Sequence, residues 1–229
     1  MPPTNNTVPE SVEHPNTEIE TPIPDLKPWF RTVDDLGGRI SWSKLFDNDH
    51  PVELDIGCGR GLFLVTAAEA NPGTNYLGFE IDYREGRRAA KRLQKRQMPN
   101  ARVIGGDCRA VLEKLIASSS VRAAHVYFPD PWWKKRHRRR RIFTDEFVTW
   151  LHRIVEQNGH VHSWTDVGDY FEVISGLMDH HKGFVTLPTP AERAPEHDMD
   201  YQTSFERKKR KAGCTIWRGL WQRVELSVD

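Results

Sequence analysis

The chain has 229 residues, a mass of 26.5 kDa, 38% hydrophobic residues and a mean hydropathy of -0.65. No apolar run approaches the ~20 residues that span a bilayer, and the N-terminus lacks the basic start and apolar stretch of a secretory signal. Cys58, Cys108 and Cys214 are few, odd in number and outside any CxxC pair, which speaks against a disulfide framework or zinc site and fits a reducing cytoplasm.

Ten scattered histidines have no metal-ligand spacing, so no metal is expected. The 33 Lys+Arg and 32 Asp+Glu give a net charge of +1, apparently a poor fit to a nucleic-acid partner. The distribution says otherwise. Residues 1–25 contain Glu10, Glu13, Glu18, Glu20 and Asp25 and no Lys or Arg, leaving a body at +6. With six of the fifteen prolines, this segment is expected to be a disordered acidic tail. Residues 26–229 are expected to form a single domain.

Apolar strand-like runs then alternate with helical periodicity. Strands are expected at Val52–Ile56, Tyr76–Phe79, Arg102–Ile104, Ala124–Phe128, His160–Trp164, Phe184–Leu187 and Ile216–Val224. Helices are expected at Leu62–Ala70, Tyr83–Gln97, Ala110–Ala117, Asp145–Gln157 and near Tyr170–His180. Asp82 is a plausible N-cap, and Asn158-Gly159 a stop. The pattern predicts an α/β fold with a mostly parallel seven-stranded sheet and helices on both faces.

Four features carry chemistry. The first is Gly57-Cys58-Gly59-Arg60-Gly61, a glycine turn between strand and helix that lets a ligand approach the backbone. Its GxGxG spacing differs from the dinucleotide GxGxxG and disfavours a dehydrogenase. The second is a set of strand-end acids. Asp55 lies beside the loop, where a carboxylate can face an ammonium group. Glu80 lies where a carboxylate reaches ribose hydroxyls, and Asp107 where one meets an adenine amino group.

This constellation resembles the Rossmann-like S-adenosylmethionine-dependent methyltransferases over roughly residues 50–165. The resemblance implies that Gly57, Gly59 and Gly61 skirt the methionine part of S-adenosylmethionine, that Glu80 holds the ribose and that Asp107 holds the adenine.

The third feature is Pro129-Asp130-Pro131-Trp132-Trp133, followed by Lys134–Arg141, where seven of eight residues are Lys or Arg. Such a cluster suits an RNA backbone. The tryptophans could stack on a base or brace the turn. The helix Tyr83–Gln97 adds Arg84, Arg87, Arg88, Lys91, Arg92, Lys95 and Arg96 as a stripe, against Glu85 alone. The fourth feature is Thr203-Ser204-Phe205-Glu206 before a second basic run.

Taken in order, Pro129–Arg141, Thr165-Asp166 and Thr203–Glu206 resemble the motifs of the bacterial tRNA (guanine-N7)-methyltransferase family. That resemblance implies methyl transfer to N7 of the guanine at position 46 in the tRNA variable region. It implies that Asp55, Glu80, Asp107 and Asp130 contact the cofactor or active centre, with Asp130 as the catalytic group. It further implies that Lys134, Asp166, Thr203, Ser204, Phe205 and Glu206 contact the substrate. Asp55 stands where the family more often has Glu. Another RNA or a protein as target, and a catalytically silent RNA-binding module, stay open on sequence, as do monomer and homodimer.

Overall fold

The strands Val52–Ile56, Asn75–Glu80, Ala101–Gly105 and Val155–Thr165 each end in a turn that leads into the next helix, and this alternation sets where the site lies. The computed structural model describes residues 25–189 and 203–226. The expected tail, apart from Asp25, lies outside the described residues. The elements are β1 (Phe30–Thr32), α1 (Trp42–Phe46), β2 (Val52–Ile56), α2 (Leu62–Ala70), β3 (Asn75–Glu80), α3 (Tyr83–Lys95) and β4 (Ala101–Gly105). Next come α4 (Cys108–Ala110), which runs into a π-helical turn at Val111–Leu115, and β5 (Val121–Tyr127). A 3-10 turn (Lys135–Arg140), α5 (Asp145–Ile154), β6 (Val155–Thr165), α6 (Gly168–His180), β7 (Phe184–Thr186), α7 (Ser204–Lys211) and β8 (Trp217–Arg223) complete the chain.

The strands form one sheet in the order β1-β4-β3-β2-β5-β6-β8-β7. β8 is antiparallel to both neighbours, and all other pairs are parallel. From β2 the chain winds outward through β3 to β4, then returns to the other side of β2 as β5. Ligands of such sheets bind beyond the carboxyl ends of the strands where the winding reverses, here between β2 and β5.

Successive residues point to opposite faces and feed two cores. Leu77, Phe79 and Val126 join α5 and α6 on one side. Tyr76, Val103 and Tyr127 join α2 and α3 on the other. Helices therefore cover both faces, as expected. At ~25 cal/mol per Å² of apolar surface, burying each large side chain here stabilises by about 1.5–3 kcal/mol.

Three expectations need correction. The described sheet has eight strands rather than seven. The extra one, β1, is three residues long and pairs Phe30 with Val103 along the open edge of β4. It stands ahead of the first strand–helix repeat, which begins at Val52.

Helix α5 ends at Ile154, not Gln157, and β6 begins at Val155. Asn158 has φ +64°, and the β5–β6 register shifts between Val121 and Ala123, so Asn158-Gly159 forms a bulge rather than a helix stop. Finally, the polar stretch before the last strand contains α7, a helix that had not been expected. Its cap is the Thr203 hydroxyl, which accepts from the Glu206 N–H at 2.9 Å.

Candidate active site

The glycine turn is fastened to β3 before any ligand arrives. The Gly57 and Cys58 N–H groups both donate to the Phe79 carbonyl at 2.9 Å. The Gly59 N–H donates to Glu80 Oε2 at 2.8 Å, and the Asp82 N–H donates to Glu80 Oε1 at 2.9 Å. Each carboxylate oxygen keeps a second lone pair for a ligand hydroxyl. Burial raises the Glu80 pKa above the usual carboxylate value, while these backbone donors oppose the shift. Gly61 has another task. It caps α2 at φ +69°, and a Cβ there would stand 2.8 Å from that of Ala89, so its lack of a side chain lets α2 and α3 pack.

Asp55, at the end of β2, is 3% exposed. Burial, with the Glu80 charge second, pushes its carboxyl up to about 8. It lines a cavity of about 750 Å³ together with Gly57, Cys58 and Gly59. A buried carboxyl without a cationic partner is a fitting receptor for a ligand's ammonium group.

A second cavity of about 730 Å³ takes in Glu80, Ile81, Gly106, Asp107, Trp132 and Ile142. Asp107 caps α4, accepting from the Arg109 N–H at 3.0 Å, is half exposed and lines that cavity. Apolar Ile81 and Ile142 beside two carboxylates match an adenosine, whose faces are apolar and whose edges donate.

The two cavities share Gly57 and the segment Tyr127-Phe128-Pro129-Asp130. Phe128 and Trp132 both have positive φ, +53° and +42°, and bracket the Pro-Asp-Pro turn. The turn is tied at both ends. The Phe128 N–H donates to the Trp164 carbonyl at 2.7 Å, and Arg141 Nε donates to the Pro131 carbonyl at 2.7 Å. Asp130 stands exposed at the junction. Trp132 is braced by Arg140 over its ring at 5.1 Å and by the edge of His137. Trp133 is 63% exposed and lines the first cavity.

The far wall of the first cavity is Asp166, Thr203, Ser204 and Phe205. Asp166 pairs with Lys209 of α7 at 2.7 Å, and the Phe205 ring lies 5.2 Å from that of Phe128. Two residues named from the sequence lie elsewhere. Glu206 is 2% exposed and pairs with Arg210 at 3.3 Å and Arg218 at 3.7 Å, so it docks α7 onto β8. Lys134 lies outside both cavities, in a shallow groove beside the tryptophans.

Similarity to known proteins matches this geometry. Residues 49–219 match a family described as putative methyltransferase. The tRNA (guanine-N(7)-)-methyltransferase of Rhodopirellula baltica is 38% identical over 217 residues, covering 91% of this chain and 80% of the relative. The chain belongs to the tRNA (guanine-N7)-methyltransferase family. A second such relative, from Geobacter metallireducens, is 32% identical over 71% of this chain and 77% of its own. Among solved structures, the aminoglycoside resistance methyltransferase NpmB1 superposes with a TM-score of 0.54 over 79% of this chain and 91% of its own, at 16% identity. That likeness shows the Rossmann-like methyltransferase fold.

For a tRNA (guanine-N7)-methyltransferase, the site also contains residues that the sequence did not single out. Cys58, Arg60, Tyr127, Lys208 and Lys209 line the first cavity, and Arg109 and Arg140 the second. Lys208 and Lys209 were readable only as part of a charge run. The signal for their helix was Thr203-x-x-Glu206, a capping-box spacing.

Proposed function

We propose that this chain transfers the methyl group of S-adenosylmethionine to N7 of guanine at position 46 in the variable region of tRNA. The observation that carries this reading is the meeting of two cavities at Asp130, one suited to an adenosine and one walled by Asp166, Thr203 and Phe205. Glu80 accepts from the ribose diol, Asp107 from the adenine amino group, and Asp55 faces the ammonium group. Bound S-adenosylmethionine supplies an electrophilic methyl on a sulfonium cation.

Guanine N7 carries an in-plane lone pair and no proton, so the protein has no proton to remove. Its work is placement, which can lower the barrier by about 7–11 kcal/mol. Positive charge grows on the base as N7 is methylated, and a carboxylate fixed nearby stabilises it. Asp166 is already matched by Lys209. Asp130 has no ion-pair or hydrogen-bond partner among the described residues, so we assign it this role. Phe205 and Trp133 are the aromatic faces available to the base.

The test is incubation of unmodified tRNA with methyl-labelled S-adenosylmethionine, followed by chemical cleavage at N7-methylguanosine. Cleavage is expected in the variable region, and label without cleavage there would overturn the assignment. Asp130→Asn should lower kcat by about tenfold or more. Unchanged turnover would remove Asp130 from the mechanism.

A further inference from the structure

The cations of α3 do not form one stripe. Arg84, Arg87, Lys91 and Lys95 fall on one row, and Arg87 of that row lies over the Phe30 ring of β1 at 5.5 Å. Arg88, Arg92 and Arg96 fall on a second row that faces the glycine turn and α2. There Arg92 Nη1 donates to the Arg60 carbonyl at 3.0 Å, and Arg96 pairs with Glu69 of α2 at 3.2 Å. Arg60 itself pairs with Glu85 at 2.8 Å, and Arg88 joins the same carboxylate.

Charges from three separate segments meet here. The charged neighbours of Arg92 include Arg60 from the glycine turn, Arg96 at the end of its own helix and Arg207 from α7, with Glu85 in opposition. Arg60 and Lys208 also line the cavity that ends at Asp130. Folding has therefore gathered like charges near the rim of the first cavity, with Glu85 shared between two guanidiniums and Glu69 paired with Arg96. Such crowding is unfavourable in the free protein and is relieved by a polyanion.

We propose that Arg60, Arg92 and Lys208 form a phosphate-binding site for the RNA backbone next to the target nucleotide. Glu85 holds the Arg60 and Arg88 guanidiniums in place until phosphates replace it. The RNA then enters over α3 and α7, with the target base turned into the first cavity. Of the Lys134–Arg141 run, Arg140 lines the second cavity, and Lys134 and His137 line the groove beside the tryptophans. This inference rests on the RNA-methyltransferase reading above and adds the path of the strand.

The experiment measures tRNA affinity against salt for the full chain, with S-adenosylhomocysteine affinity as the measure of an intact cofactor site. The variants are Arg60→Gln/Arg92→Gln/Lys208→Gln together, Glu85→Gln alone, and Lys114→Gln as a remote control. Each lost phosphate contact lowers the slope of log affinity against log salt by about 0.7–0.9. The triple variant should lose about 2 from that slope, raise the KM for tRNA on the order of tenfold or more, and keep its S-adenosylhomocysteine affinity. Glu85→Gln should move the other way, tightening tRNA binding by about two- to fivefold. Lys114→Gln should leave the slope unchanged.

An unchanged slope in the triple variant, or weaker tRNA binding in Glu85→Gln, would overturn the proposed site. If S-adenosylhomocysteine affinity falls with the triple variant, each single substitution is measured, and a slope that none of them lowers also overturns it. Failure of the unsubstituted protein to methylate any tRNA would instead remove the functional reading beneath it.

Discussion

Glu53 and Asp55 sit two residues apart on one face of β2, yet their surroundings are opposite. Glu53 is held by Arg122 at 2.7 Å and by His125 Nε2 at 2.9 Å. Burial alone would raise its pKa, but these partners win and bring it down to about 2. His125 Nδ1 meets the Tyr127 hydroxyl at 3.0 Å, and His162 stacks on the His125 ring. Asp55 has no such partners among the described residues, and burial carries it up to about 8. One strand thus carries a compensated acid that serves the fold and an uncompensated acid that faces the site. A buried charge left without a partner by the fold is expected to find one in a ligand.

Exchanging the two roles should break this contrast most visibly at Asp55. Asp55→Asn should weaken S-adenosylhomocysteine binding by about 30-fold or more, the scale of losing one partner of a buried charge pair. Its urea midpoint should stay the same or rise. Glu53→Gln should do the reverse, costing roughly 2–3 kcal/mol of stability in denaturant titration, with cofactor affinity within about twofold. If Asp55→Asn proved the more unstable of the two, the contrast would be wrong.

Acidity separates the pair a second way. Asp55 is protonated in the folded protein below about 8, and a cationic ligand favours the charged form. Affinity for S-adenosylhomocysteine should therefore rise up to about tenfold per pH unit toward pH 8. Calorimetry in buffers of differing ionisation enthalpy should show proton release on binding at pH 7. For folding, the raised pKa means that Asp55 contributes stability present below about pH 4 and lost as pH rises through 8. Glu53 has the opposite sign. Its stability is present above about pH 4 and lost as pH falls through 2. The smallest effect is expected at Glu206, a compensated acid like Glu53. Glu206→Gln should cost about 1–2 kcal/mol of stability and raise the KM for tRNA through looser docking of α7. A loss of tRNA binding with α7 still docked, judged by its hydrogen-exchange protection, would make Glu206 a substrate contact instead.

These contrasts also explain what the sequence showed and what it hid. The cavity-lining positions of Asp55, Glu80 and Asp107 were legible because each lies at or just past a strand end next to a small turn, and chain order alone places strand ends together. Asp130 was legible because two prolines frame it. The fate of Glu53 was not, since its partners lie 69 and 72 positions along the chain. Glu206 read as part of a substrate motif, but its direction depends on Arg218 in β8, which only the closed sheet brings near. β1 was not expected because its residues stand ahead of the first strand–helix repeat, which begins at Val52. The split of the α3 cations needed α2, α7 and the glycine turn to be in place.

The tied Pro-Asp-Pro turn has a consequence for timing. A loop that must settle around each arriving RNA loses its freedom at every encounter and lowers affinity each time. Here the Phe128 and Arg141 anchors and the two proline rings remove that freedom once, when the chain folds. Asp130 then sits on a turn anchored on both sides. A base brought to the proposed site would meet a turn whose shape is already set, so this segment adds no ordering cost to binding.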